Sequence, residues 1–245
     1  MISVCIATFN GEKYIKKQLL SILCQLSKED EVIISDDGST DNTIQIIEQL
    51  NDSRIKILQH KKNRYKGYSS SHKYSSSNFE NAIKEAKGEY IFLSDQDDIW
   101  ELYKVEKMLE ALSEKNIYLA ISNYSLIDTD DVMIRRKIFD KKPISSNNFI
   151  NIIKTPFHGC CMAFKKEMLK KILPFPFGLV LHDNWIGFLA KGHIKYIEEP
   201  LVLYRRHDKN VSAQKGESKN PLWYKIYYRI VFFMQYIVRI TKNMI

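Results

Sequence analysis

The stretch Tyr90-Ile91-Phe92-Leu93-Ser94-Asp95-Gln96-Asp97-Asp98-Ile99-Trp100 decides the fold. Its opening residues are apolar or aromatic strand formers, and so short a run reads as a buried strand. Three carboxylates then occupy the four positions from Asp95 to Asp98, where that strand stops. The same arrangement stands upstream. Glu31-Val32-Ile33-Ile34-Ser35 reads as a strand running into Asp36-Asp37-Gly38-Ser39-Thr40-Asp41, and residues 2–8 as a strand ending in Thr8-Phe9-Asn10-Gly11. Between them, Ile15, Leu19, Ile22, Leu23 and Leu26 recur at helical spacing, as do Ile44, Ile47 and Leu50, before a third strand at Ile55-Lys56-Ile57-Leu58. Strands alternating with amphipathic helices predict an α/β fold with a largely parallel open sheet.

Further along, residues 59–77 break the rhythm. Lys61, Lys62, Arg64, Lys66 and Lys73 lie among tyrosines and serine triplets, which predicts a mobile surface loop. Asn78 is then expected to cap a helix through Phe79, Ala82, Ile83 and Ala86, ended by Gly88. A helix through Val105, Met108, Leu109 and Leu112 follows, then a strand over 118–122. Residues 128–150 read as an excursion with loops and residues 157–164 as a strand. A helix starts at His182-Asp183-Asn184-Trp185, and two strands follow at 194–197 and 201–204.

The 245 residues are 44% hydrophobic and 27% charged, which suits an ordinary globular chain rather than a disordered one. The net charge of +8 and pI near 9.1 favour an anionic partner. Cys5, Cys24, Cys160 and Cys161 form no Cys-x-x-Cys pair and read as reduced, buried thiols, so a cytoplasmic location is expected, with no signal peptide.

Carboxylates clustered at strand ends repel one another unless a cation or hydrogen-bond donors are shared among them. In open α/β sheets this edge is where ligands bind. A divalent Mn²⁺ or Mg²⁺, held by carboxylate oxygens and bridging to a substrate phosphate, suits the Asp95–Asp98 group. Asp36-Asp37-Gly38-Ser39 is also good turn chemistry, and Asp183 alone suits a helix N-terminus.

The ordered set of motifs resembles the family-2 glycosyltransferases, which have the GT-A fold. Ala7-Thr8-Phe9-Asn10-Gly11 is similar to the first-strand loop of that family, and Ser35-to-Asp41 to its nucleoside-binding motif. Ser94-to-Trp100 resembles its Asp-x-Asp metal motif in the bacterial polysaccharide and rhamnosyltransferase-like form. His182-Asp183-Asn184-Trp185 looks like the motif supplying the catalytic base, and Tyr204-Arg205-Arg206-His207-Asp208-Lys209-Asn210 like the closing motif.

The resemblance implies a GT-A catalytic domain over 1–212, with a donor-binding half over about 1–100 and an acceptor-binding half over about 101–212. It implies an open mixed sheet flanked by helices, with a C-terminal amphipathic helical tail over 213–245. It further implies Asp183 as general base, and Thr8, Asn10, Asp36, Asp37, Asp95, Arg205 and Arg206 at the nucleotide-sugar donor. Asp97, Asp95 and His207 are the implied metal ligands. His158 and Trp185 are candidates for acceptor contact, although tryptophans beside such motifs, Trp100 included, also suit a core. The implied activity is inverting, metal-dependent transfer from a donor such as dTDP-rhamnose or a UDP-hexose to a glycan or lipid-linked acceptor.

Residues 221–245 are rich in aromatics, carry Lys225, Arg229, Arg239 and Lys242 without an acid, and lack the unbroken apolar length of a membrane span. They are expected to form an interfacial helix on an anionic membrane surface, or to pack on the catalytic domain or a twin subunit. A nucleotidyltransferase would place a Gly-rich basic loop after the first strand, and Thr8-Phe9-Asn10-Gly11-Glu12 is not one. Nucleic acid is not the expected partner, since acids line the binding edge of the sheet. The alternative is a non-catalytic nucleotide- or nucleic-acid-binding scaffold.

Overall fold

The structure, a computed structural model, describes residues 1–61, 67–140, 143–145, 147–208, 210 and 220–242. Strands β1 (Ile2–Thr8), β2 (Glu31–Asp36), β3 (Ile55–Gln59) and β4 (Tyr90–Asp95) pair in parallel in the order β3-β2-β1-β4. Helices α1 (Ile15–Leu23), α2 (Thr43–Gln49) and α3 (Ser70–Lys84) connect them. Both faces of such a sheet are covered, and alternate side chains show it. Val4, Ile6, Val32, Ile34 and Phe92 pack with α1 and with α4 (Lys104–Ser113), whereas Cys5, Ile33, Ile91 and Leu93 pack with Phe79 and Ile83 of α3.

Beyond β4 the sheet becomes mixed. β8 (Met162–Lys165) runs antiparallel between β4 and β6 (Leu119–Ile127), and β9 (Ile194–Arg205) pairs in parallel with β6. β5 (Ile99–Trp100) closes the far edge on β9, and β7 (Met133–Arg135) pairs with β6. The second half also carries α5 (Asn148–Lys154), α6 (Leu169–Ile172), α7 (His182–Leu189) and α8 (Leu222–Lys242).

Five expectations are corrected. Of the segment 59–77, residues 62–66 lie outside the described residues, but the expected loop is helical from Ser70 onward. Its first turns lack an apolar stripe because they are held by polar contacts: Ser77 Oγ lies 3.0 Å from His60 Nε2, and Ser76 Oγ 3.3 Å from His182 Nδ1. Tertiary contact overrides weak local propensity here, and Asn78 is a buried residue within the helix rather than its cap. The two strands expected at 194–204 are one strand of 12 residues, whose register shifts beside Ser122 and Asn123 absorb Pro200. The strand expected at 157–164 begins only at Met162, after a 3₁₀ turn at Gly159–Cys161. Cys24 is exposed, unlike the other three thiols.

Helix α8 is docked by one face. Tyr224, Phe232 and Tyr236 are buried, and Phe232 meets the rings of Trp185 and Phe188 edge-on. Arg229 donates to the carbonyls of Ile152 and Ile153, and Arg239 to those of Lys171, Leu173 and Pro174. Two of the expected lipid-facing cations therefore clamp the helix to the body. Among the described residues no helix is long and apolar enough to cross a membrane.

Trp185 is 0% exposed, and its Nε1 donates to the Ile172 carbonyl at 3.0 Å. Trp185→Ala is expected to cost about 3–5 kcal/mol of stability by opening a cavity beneath α8. Urea denaturation checks this, and a loss below about 1 kcal/mol would contradict it.

Candidate active site

Strand register brings the acids together. Thr8 lies beside Asp36, and Ala7 beside Asp95, so the carboxyl ends of β1, β2 and β4 meet at one edge. Three loops emerge there and are stitched to one another. Gln96 Oε1 accepts from Thr8 Oγ1 at 2.6 Å and from the Phe9 N–H at 2.9 Å, while Gln96 Nε2 donates to the Phe9 carbonyl. A Cβ at Gly11 would stand 2.6 Å from Gln96 Oε1 and would displace that side chain from the crossing. Asn10, with a φ of 50°, accepts from the Thr40 N–H, and its own N–H donates to Ser39 Oγ.

Asp36 and Asp37 part company. Asp36 Oδ2 accepts from the N–H groups of Gly38 and Ser39, both at 2.9 Å, and Oδ1 accepts from Ser39 Oγ. The turn reading thus holds for Asp36, whose carboxylate shapes the loop. Asp37 Oδ1 lies 2.8 Å from His60 Nδ1, and its N–H donates to the Thr8 carbonyl.

The end of β9 closes over the β4 loop. His207 Nε2 lies 2.7 Å from Asp97 Oδ2, and Asn210 Nδ2 approaches the same oxygen at 3.4 Å. Tyr14 stacks on His207 with ring centroids 5.2 Å apart, and the Arg205 guanidinium sits 4.6 Å from the Tyr14 ring centroid. Arg205 is 1% exposed. It donates to the carbonyls of Asp97 and Asp128 and pairs with Asp131 at 2.5 Å, while its N–H donates to Asp98 Oδ1. That placement does not fit the expected contact with a diphosphate; Arg205 is a strut that holds the Asp97–Asp98 backbone. Arg206 stacks 5.4 Å from the Tyr204 ring centroid and lies in electrostatic reach of His158.

Asp183 stands in the first turn of α7, with Oδ1 accepting from the N–H and side-chain amide of Asn184. Its charge reaches Asp95 of β4, His158, its neighbour His182 and His72 of α3. The structure therefore brings His158 into reach of Asp183 but not Trp185. Residues two apart on a helix face different ways, so Asp183 turns to the site and Trp185 to the core. The motifs also missed Tyr14, His60 and His72, which carry no local signature, and gave no role to Gln96, although it stands between Asp95 and Asp97. They enter through long-range contacts, from His60 and Asp37, 23 positions apart, to Tyr14 and His207, 193 apart.

Burial, then the charges of Asp97 and Asp183, push Asp95 up to about 7, although part of the residue reaches solvent. Burial, then Asp97 and Asp95, push Asp98 well above the usual carboxylate range. Beneath them the buried Lys104 ammonium donates to the Cys160 carbonyl at 2.6 Å and sits 4.5 Å from the Trp100 ring centroid, so Trp100 is core. Burial draws His72, His158 and His182 down, against the pull of Asp183.

A carboxyl with a raised folded pKa contributes stability that is complete below its unfolded value of 3.8 and is lost as pH rises through about 7. The buried histidines act in the opposite sense, so the test is a difference. Metal-free Asp95→Asn is expected to gain on the parent chain, by on the order of a few kcal/mol, as pH climbs from about 4 to about 8. Paired urea titrations check this, and a gap independent of pH would contradict it.

Two donor sets overlap at this edge. Asp95, Asp98 and Cys160 bring one ligand atom each within 4.8 Å of one another, but Asp98 and Cys160 are buried and Asp98 Oδ1 already accepts from Arg205. Asp97 and His207 lie at the more open side, with side chains 13% and 12% exposed. A carboxylate and an imidazole 2.7 Å apart, with Asp95 adjoining, suit a divalent cation reached by an incoming phosphate.

The family model described as Glycosyl transferase family 2 matches residues 3–173. The chain belongs to that family. It is 32% identical over 219 residues to the Escherichia coli UDP-Glc:alpha-D-GlcNAc-diphosphoundecaprenol beta-1,3-glucosyltransferase WfaP, covering 88% of this chain and 81% of that protein. It is 32% identical over 220 residues to the Shigella flexneri dTDP-rhamnosyl transferase RfbG, covering 83% and 72%. In structure it resembles S. aureus TarS 1–349 in complex with UDP-GlcNAc, with a TM-score of 0.69 at 20% identity, over 94% of this chain and 66% of that one. The mannosyltransferase PcManGT from Pyrobaculum calidifontis, in complex with GDP-Man and Mn²⁺, aligns with a TM-score of 0.58 at 18% identity, over 98% and 64%. This glycosyltransferase thus has the GT-A fold that its motifs predicted.

Proposed function

We propose that this glycosyltransferase moves a sugar from a nucleoside-diphosphate donor to a hydroxyl of a lipid-linked or polysaccharide acceptor, with inversion at the anomeric carbon. The observation that carries the reading is that the charge of Asp183 reaches Asp95, whose strand end leads into the Asp97–His207 pair. The activities for which the relatives are named, with UDP-Glc and dTDP-rhamnose as donors, support the donor class.

Asp37, held by His60, contacts the nucleoside, while Thr8, Asn10 and Asp36 shape the loops around it. Asp97, Asp95 and His207 would hold Mn²⁺ or Mg²⁺, which supplies charge neutralisation for the departing diphosphate. Arg206 adds positive charge on that side, and Arg205 fixes the backbone that presents Asp97. Asp183 takes the proton of the acceptor hydroxyl as that oxygen attacks the anomeric carbon from the face opposite the leaving group. One carboxylate suffices, because the leaving diphosphate needs neutralisation rather than a proton. His158 and His72, electrostatically linked to Asp183, border the acceptor side. The anomeric configuration of product made with UDP-glucose or dTDP-rhamnose, read by proton NMR, tests this. Inversion is expected, and retention would require a different mechanism.

The outer face of α8 supports a peripheral position on the cytoplasmic membrane surface. Leu222, Trp223, Ile226, Tyr227, Ile230, Phe233, Met234 and Val238 are all 42% to 73% exposed along it. Such a face suits the headgroup boundary of a bilayer. Ile230→Asp, which leaves the docked face intact, is expected to lower sedimentation with liposomes containing phosphatidylglycerol about tenfold. Unchanged sedimentation would remove the membrane from the reading.

A further inference from the structure

We infer that a groove between α3, the loop 175–181 and α8 seats the diphosphate and the isoprenoid chain of a lipid-linked acceptor. This rests on the transferase reading above and assigns the acceptor class. Two cavities of about 120 and 210 Å³ share Lys73, Phe177 and Leu179 in their walls, so they lie side by side along the groove.

The inner end is polar and adjoins the base. Lys73, Ser76, Ser77 and Glu80 line it at i, i+3, i+4 and i+7, one stripe of α3. Ser76 Oγ lies 3.3 Å from His182 Nδ1, and His182 directly precedes Asp183. The buried His182 Nε2 has no hydrogen-bond partner among the described residues, at the point where Gly159 and Asp183 approach. The Glu80 carboxylate is engaged by the Phe175 N–H at 3.0 Å and by Lys84 at 2.8 Å. Lys73 therefore sets the charge of the groove.

The outer end is aromatic and aliphatic. Tyr227, Tyr228, Val231 and Phe232 of α8 face Phe177 across it. Phe177 is 81% exposed, an unusual position for a phenylalanine, and the groove shares Tyr227 with the apolar outer face of α8. An ammonium at the junction of a polar and an apolar compartment suits a ligand with its anionic group between a sugar and a hydrocarbon chain. Lys73 lies about one helical turn from Ser76, which contacts His182 next to Asp183. With its sugar at Asp183, such an acceptor has its diphosphate at Lys73 and its chain along α8. A sugar nucleotide, which has no such chain, would leave the outer compartment wet.

Calorimetric titration of the full chain with farnesyl diphosphate, inorganic diphosphate and UDP plus Mn²⁺ tests this. Saturable binding of farnesyl diphosphate is expected. Lys73→Gln should weaken it about tenfold by removing a charge-assisted contact. Val231→Asp should weaken it at least about tenfold while leaving inorganic diphosphate unaffected. UDP affinity should be unchanged in both variants. Farnesyl diphosphate that fails to saturate, or binds both variants like the parent, overturns the groove. If UDP still binds, the transferase reading survives that result; if UDP also fails, that reading falls as well. A change of mass by light scattering in Val231→Asp, with unchanged farnesyl diphosphate affinity, would make the groove a contact between copies and likewise overturn the proposal.

Discussion

Asp183→Asn is expected to lower turnover by about 10² to 10⁴ while leaving donor affinity within about twofold. The substitution is nearly isosteric. Its remaining carbonyl oxygen can still accept from the N–H and side-chain amide of Asn184, which hold Asp183 Oδ1 now. The first turn of α7 therefore keeps its shape, and what is lost is the capacity to take a proton from the acceptor hydroxyl. The effect falls on kcat because donor contacts lie on the opposite loops, at the ends of β1, β2 and β4. Single-turnover transfer, alongside donor titration, separates the two. Turnover within about threefold of the parent would remove Asp183 as the base.

Asp97→Asn carries the second large effect. The parent chain, saturated at about 100 times the dissociation constant of UDP with Mn²⁺, should gain about 2.7 kcal/mol of stability. The variant should lose the metal-dependent part of that gain, because an amide oxygen is a far poorer ligand than a carboxylate for a hard divalent cation. His207 can still bond the side chain at position 97, so the closing segment is expected to stay in place and the loss to report the ligand itself. Equal metal-dependent stabilisation in both proteins would move the metal to the Asp95, Asp98 and Cys160 set.

The parallel half of the fold was legible because its strands are short apolar runs ending in polar turns, and register then follows from the βαβ connection. Asp36 and Asp37 were legible as a pair but not as two roles. The turn that takes up the Asp36 carboxylate depends on Gly38 and Ser39, while Asp37 is held by His60, 23 positions away. Trp185 was misplaced for a geometric reason, since proximity to Asp183 in sequence puts it on another face of α7. Arg205 was assigned to the donor from its motif, yet its guanidinium meets Asp131 across 74 positions of an irregular excursion. No local pattern announces such a pairing. The amino-terminal half of α3 escaped the reading because it is serine-rich and held by histidines from other segments, whereas its apolar half from Phe79 onward was read as a helix.

The most direct test of the account is thermal unfolding of the parent chain with UDP, dTDP, GDP and their sugars, each with and without Mn²⁺. Stabilisation by one nucleoside diphosphate that depends on the metal is predicted, and its base would name the donor. No shift with any nucleotide, with metal or without, would contradict the claim that the acidic edge of this sheet binds a sugar nucleotide.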